Sequence, residues 1–283
     1  MTALSPHLVI PLPRPDARLR LFLFHHAGGS HMVFRDWIAR LPDDWEICLL
    51  AYPARLRLHR EPLPPSLGAL AALLRPALAG RLDRPFAMFG HSMGALVAYQ
   101  TVLDLMRDGA PLPAWLGVSG FEAPNRARKK TRERSLHRYD DAGLRRELAA
   151  LGGTPAGFLD DDAAWGALAR LIRTDLGLFE TWQADPLAPS LPMPVSAYVG
   201  ANDRLVTAEG VAHWEFFTRH WLGHHRFEGD HFYFAGNPAP LLDRMQRDID
   251  TALRAASAQA SGAPVSPFMR SMFAFSLSSS ASS

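Results

Sequence analysis

Only one cysteine, Cys48, occurs in the 283 residues, so no disulfide can form within the chain. It lies in the apolar run Ile47-Cys48-Leu49-Leu50, which reads as a strand carrying a buried thiol. Lysine is nearly missing: Lys129 and Lys130 are the only two. Charge of one sign does not dominate either, since 30 Lys and Arg face 28 Asp and Glu for a formal +2, which lacks the basic excess of a nucleic-acid binder. Nowhere do eighteen apolar residues follow one another. Residues 1–18 carry scattered prolines in place of a charged start and an apolar core, so neither a membrane span nor a secretory leader is expected. The reading is a cytoplasmic protein that engages neither membrane nor nucleic acid. No internal repeat is visible.

What is present suits a chain that buries a sizeable core, with 48% apolar and 20% charged residues. Apolar runs at 19–24, 45–51, 85–89 and 114–118 read as strands, and helical spacing fills 33–41, 66–82 and 93–107. Strands alternating with helices predict an α/β fold, with a mostly parallel central sheet flanked by helices, because parallel neighbours need a crossover. Phe86-Ala87-Met88-Phe89 is apolar throughout, as a strand covered on both faces should be. Between 123 and 190 the alternation stops. Helical patterns at 142–151 and 163–182, separated by Gly152-Gly153-Thr154-Pro155, predict a helical lid inserted into the core. Alternation then resumes with a strand at 195–199, a helix at 207–219, a short strand at 226–227 and a last helix at 241–255. Residues 1–122 and 191–256 thus form one interrupted core. The Ser- and Ala-rich stretch 257–283 is expected to be a disordered tail, with a docking segment as the alternative.

Gly90-His91-Ser92-Met93-Gly94 stands between a predicted strand and a predicted helix, the context that turns G-x-S-x-G into a nucleophile elbow. The plainer reading is a tight strand-to-helix turn. A serine hydroxyl is a weak nucleophile until an imidazole takes its proton, and in this architecture the partners follow in the order serine, acid, histidine. His213 falls in a predicted helix, and His220, His224 and His225 precede the last strand. His231, in Gly229-Asp230-His231-Phe232, follows that strand and is preferred. Asp203, after the strand at 195–199, is the expected acid. Glu122 is its rival, Asp230 is read as a turn residue, and a helix-capping role is the alternative for Asp203. Backbone amides of Met93 and Ala27 are the expected oxyanion donors, while His26, Gly28 and His91 are assigned to substrate binding. His25, His26 and His31 crowd one loop, but no carboxylate or cysteine accompanies them at ligand spacing, so no metal is expected.

Over residues 19–250 the chain resembles the type II thioesterases, stand-alone editing enzymes of polyketide and nonribosomal peptide synthesis. The residues that carry the resemblance are Phe24-His25-His26-Ala27-Gly28-Gly29, Phe34 with Trp37, Gly90-His91-Ser92-Met93-Gly94-Ala95, Ser119-Gly120 with Ala123-Pro124, and Leu151-Gly152-Gly153-Thr154-Pro155. Arg173-Thr174-Asp175-Leu176, Gly200 with Asp203, Trp214 and Gly229-Asp230-His231-Phe232 complete the set. The resemblance implies an α/β-hydrolase fold, the triad Ser92, Asp203 and His231, and no cofactor beyond the phosphopantetheine arm that brings the substrate. It also implies an acyl or peptidyl carrier protein as a transient partner of a monomeric enzyme. Three departures stand out: His25 where the family has Pro, Pro53-Ala54-Arg55 where it has Pro-Gly-Arg, and Gln100 where it has Glu. The basic run Arg126, Arg128, Lys129, Lys130, Arg132 and Arg134 suits either an acidic carrier or a solvated loop. Competing readings are a general carboxylic-ester or acyl-CoA hydrolase and a non-catalytic binding protein of hydrolase shape.

Overall fold

The computed structural model describes residues 5–126, 135–154 and 156–260. Seven strands form one sheet in the order β1-β3-β2-β4-β5-β6-β7. They are β1 (Leu8–Val9), β2 (Leu19–Phe24), β3 (Trp45–Leu50), β4 (Phe86–His91), β5 (Trp115–Ser119), β6 (Leu191–Gly200) and β7 (Thr218–Phe227). All neighbours pair in parallel except β1, which runs antiparallel to β3. The expected mostly parallel sheet flanked by helices is therefore the observed one.

Every residue of β2, β3, β4 and β5 is buried. Successive side chains on a strand point to opposite faces, and the core divides accordingly. Phe22, Phe24, Cys48, Leu50 and Met88 pack in one layer, while Leu21, Leu23, Ile47, Leu49 and Phe89 pack in the other. Helices α1 (Leu67–Ala79) and α2 (Met93–Arg107) cover the first layer, and α7 (Ala239–Ala260) covers the second with Leu241, Leu242, Met245 and Ile249. The Ser66 hydroxyl caps α1 by accepting from the Ala69 amide at 3.1 Å. Leu67, Leu70, Ala71, Leu74 and Leu78 then form a stripe at helical spacing that faces the sheet. Cys48 is fully enclosed, and burial pushes its thiol up to about 12.

Between β5 and β6 lie α3 (Asp141–Leu151), α4 (Ala156–Asp160) and α5 (Asp162–Glu180). Asp140 and Asp161 cap α3 and α5 through the amides of Gly143 and Ala163, at 2.7 and 2.8 Å. Leu136, Leu144, Leu159, Trp165, Ile172 and Leu176 give these helices a small core of their own.

The C-terminal part differs from expectation in three places. The helix expected at 207–219 is only α6 (Ala208–Ala212), capped by Thr207 and followed by a 3-10 turn, His213–Phe217. The expected short strand at 226–227 is the end of the ten-residue β7, so His220, His224 and His225 lie within that strand and not before it. As the sheet's edge, β7 keeps polar and basic side chains partly exposed, and its pairing with β6 is irregular at two points, so no apolar alternation marks it. Finally, α7 continues to Ala260, so the first residues of the expected disordered tail are helical; residues 261–283 lie outside the described ones. Among the described residues no helix is long and apolar enough to cross a membrane.

The turn after β3 holds Ala54 at φ 63° and Leu56 at φ 48°, in the left-handed region that favours glycine. Ala54 occupies the place where the resembling family has glycine. The Ala54→Gly protein is expected to be more stable by about 0.5–1 kcal/mol, the relief of the Cβ clash less the added chain entropy. Urea unfolding measures this, and equal or lower stability would show that any strain relieved is no larger than the added chain entropy.

Candidate active site

Strand β4 ends in the middle of the sheet, and the chain turns at once into α2 through Ser92. Ser92 takes φ 56° and ψ −124°, a conformation that crowds any side chain nearby. Glycine on each side is therefore obligatory. A Cβ on Gly90 would lie 2.2 Å from the Gly94 carbonyl oxygen, and one on Gly94 would lie 2.1 Å from the Phe24 carbonyl oxygen. The Ser92 amide donates to the Ser119 carbonyl at 2.7 Å, which fastens the turn to β5.

His231 follows β7 on a turn that Asp230 shapes by accepting from the Phe232 amide at 2.8 Å. Its Nδ1 lies 2.8 Å from Asp203 Oδ2, both side chains are out of solvent, and the ring nitrogen donates to the carboxylate. Asp203 Oδ1 accepts from the amides of Leu205 and Val206 at 2.8 and 3.2 Å, which fixes the carboxylate. Thr207 caps α6, so Asp203 does not serve as that cap. Glu122 is engaged elsewhere, accepting from the Thr207 amide and hydroxyl at 2.8 and 3.0 Å. Thus Asp203, not Glu122, meets the histidine.

Ser92 and His231 line the same cavity, of about 590 Å³, within the common range of small-molecule sites. Ala27, Gly28 and His26 form one wall, and Leu148, Leu151, Phe158, Leu168, Ile172 and Leu176 of the inserted helices form an apolar roof. Met93 opens α2, whose amino end carries a partial positive charge. His91 stands apart from this wall. It is fully buried, is not among the cavity-lining residues, and packs its ring 4.8 Å from the His231 ring. Its Nδ1 lies 2.9 Å from Ser119 Oγ, which lies 2.7 Å from the Tyr233 hydroxyl. Expected to contact substrate, His91 instead packs against the His231 ring and is not among the residues that line the cavity. Gly28 lines the cavity, yet its amide is already given to Asp175 at 2.7 Å. That aspartate and its partner Arg55 had no role assigned from the sequence. The available signal was a carboxylate on the apolar stripe Trp165, Ala169, Ile172 and Leu176.

Of the basic run, Arg126 pairs with Glu209 at 2.9 Å and meets His213 at 2.8 Å, whereas Arg128, Lys129, Lys130, Arg132 and Arg134 lie outside the described residues. Gln100, the third departure, accepts from the Trp182 indole at 3.2 Å. Among the described residues no group of three His, Cys, Asp or Glu side chains is placed to hold a metal.

His25, the first departure, is fully buried with its ring 3.8 Å from that of Tyr52. Burial, and then the neighbouring Arg55 guanidinium, hold its imidazole well below the ordinary 6.5. Burial likewise lowers His91, and pushes His26 down to about 3. These rings stay neutral in the fold while the unfolded chain gains protons below about pH 6.5. Stability present above that pH is therefore lost as pH falls. Replacing His25 by Phe keeps a ring on Tyr52 and removes one such proton. The fall in stability between about pH 7.5 and about pH 5 should become shallower by up to about 1.4 kcal/mol per pH unit. Urea titrations across this range test it, and an unchanged slope would mean that His25 is protonated in the fold.

Comparison with known proteins agrees with this geometry. Residues 19–249 match the family model of the thioesterase domain. A protein described as a cadicidin biosynthesis thioesterase of Streptomyces griseus is 34% identical over 241 residues, covering 85% of this chain and 64% of that relative's length. RedJ, the thioesterase of the prodiginine biosynthetic pathway in Streptomyces coelicolor, superposes with a TM-score of 0.76 at 32% identity, over 84% of this chain and 96% of RedJ. YbtT, the type II thioesterase of the yersiniabactin pathway, does so with a TM-score of 0.76 at 29% identity, over 87% of this chain and 99% of its own. With a serine at a strained strand-to-helix turn, an aspartate-held histidine on the same cavity and a family match across most of its length, the chain belongs to the thioesterase family, hydrolases of the α/β-hydrolase fold that act on thioesters, in its type II branch.

Proposed function

We propose that the chain is a serine thioesterase that releases acyl groups from the phosphopantetheine arm of an acyl or peptidyl carrier protein. The observation that carries this reading is the placement of Ser92 and His231 on an apolar cavity roofed by inserted helices. Such a chamber accepts an acyl chain by removing its surface from water, worth about 25 cal/mol per Å².

In this mechanism Ser92 Oγ attacks the thioester carbonyl while His231 takes its proton at Nε2, with Asp203 holding the ring by the other nitrogen. The amides of Met93 and Ala27 stabilise the oxyanion. The pantetheine thiolate leaves and takes up a proton from His231. Water, deprotonated by the same ring, then hydrolyses the acyl-serine to free the carboxylic acid. No step draws on a cofactor or metal held by the chain. Editing or release of stalled and misprimed acyl groups in polyketide or nonribosomal peptide synthesis follows as the biological role, since YbtT belongs to the yersiniabactin NRPS/PKS pathway. We read the protein as a cytoplasmic monomer that meets its carrier transiently, with the basic stretch 126–134 as the contact for an acidic carrier surface.

A panel of acyl-carrier, acyl-coenzyme A and aryl-ester substrates of increasing chain length tests the reading. Carrier-bound thioesters should give the highest kcat/KM, and Ser92→Ala should lower it roughly 10⁶-fold without loss of the fold. Preference for the aryl ester would favour a general carboxylic-ester hydrolase, and full turnover by Ser92→Ala would refute the nucleophile.

A further inference from the structure

One buried ion pair joins the inserted helices to the oxyanion loop, and the mechanism above does not use it. Asp175 lies on α5 with its side chain wholly out of solvent, and the Arg55 side chain is 5% exposed. Two parallel contacts of 2.9 Å link them, Nη1 to Oδ2 and Nη2 to Oδ1. Both partners also grip the loop. Asp175 Oδ2 accepts from the Gly28 amide at 2.7 Å, and Arg55 Nη1 donates to the Gly29 carbonyl at 2.9 Å.

The packing points the same way. Gly28 has φ 73°, and a Cβ there would lie 2.5 Å from Ile172, one turn before Asp175 on the same helix. Loop and helix are thus in direct contact. Arg55 is presented by the turn whose Ala54 and Leu56 both take positive φ, and its Nε donates to the Pro53 carbonyl at 2.9 Å. The Gly28 amide and the Ala27 carbonyl share one planar peptide, so holding that amide orients the peptide next to the Ala27 donor. A buried ion pair is a poor stabiliser, because desolvation offsets the attraction and an apolar pair of similar size would serve as well. What charge adds here is a fixed register between two elements.

We propose that Asp175 and Arg55 are positioning residues for the acyl-transfer step, setting the oxyanion loop in its working geometry only while α5 is seated on it. The proposal rests on the serine-hydrolase reading of Ser92, and not on which ester is cleaved. The test uses Asp175→Asn together with the double variant Arg55→Met/Asp175→Leu, which removes the pair without leaving a lone buried charge. On a short acyl thioester and on an aryl ester, kcat should fall about 10- to 100-fold, up to the loss of one oxyanion donor, with KM changed less than about threefold. Affinity for an alkyl boronic acid, which forms a tetrahedral adduct on the serine, should fall in parallel with kcat. A purely structural pair would lower the melting temperature and leave kcat per folded molecule and boronate affinity unchanged, which overturns the proposal. A double variant that does not fold overturns it as well, since an apolar pair is held to suffice for the fold. If the wild type cleaves the aryl ester and not the thioester, the thioesterase reading fails while the comparison on the aryl ester still decides this one.

Discussion

The backbone of Ser92 is the constraint on which the site depends. A serine at φ 56° between β4 and α2 is sterically unfavourable, and the fold tolerates it because Gly90 and Gly94 leave space that even one methyl group would fill. The same lack of side chains lets α2 approach the end of β2, where the Gly94 position is close to the Phe24 carbonyl. That approach brings the start of α2, with its amides, beside the loop that carries Ala27. One strained residue therefore aims the nucleophile and closes the distance between the two candidate oxyanion donors.

Around this point, charge and hydrogen-bonding capacity are arranged so that buried polar groups have defined roles. Asp203 is held by two backbone amides and holds His231 in turn. His91 stays neutral by burial and stands between His231 and the Ser119–Tyr233 pair. A neutral ring at that place adds no repulsion when His231 becomes an imidazolium, which a charged one would do. The inserted helices contribute a second element. Their apolar side chains roof the cavity, and α5 sends one carboxylate, Asp175, down to the oxyanion loop. One helix thus lines the cavity and holds the loop that carries Ala27.

The central sheet and the elbow were legible because their signals are local. Mostly apolar runs, broken in β2 and β3 by the paired Arg20 and Glu46, mark β2 to β5, and Gly90, Ser92 and Gly94 mark a turn at a strand end. His231 and Asp203 stand in the expected order after the strands, although β7 begins at Thr218, eight residues before the short strand expected at 226–227. That strand is an edge in which six polar residues interrupt Trp221, Leu222 and Phe227 and burial runs irregularly from buried Thr218 to exposed Arg219, His224 and Arg226, so periodicity does not separate it from the preceding helix. Asp175 and Arg55 are 120 residues apart in sequence and meet only when the lid folds over the core. A contact of that range leaves no spacing to read: the family resemblance marks Asp175 and the Arg55 turn separately, and the helix stripe shows a charge among apolar residues, but neither pairs them. His91 was misplaced for a related reason, since being next to the nucleophile in sequence says nothing of which way a side chain points at a sharp turn.

In the proposed reaction Ser92 carries the acyl group between carrier and water. Mixing the protein with an acylated carrier, quenching within the first turnover and analysing the digested protein by mass spectrometry tests it directly. A mass increase equal to the acyl group is expected on the peptide that contains Ser92, and no such adduct in the Ser92→Ala protein. Carboxylic acid released with the acyl group found on no residue, or on a residue other than Ser92, would contradict it.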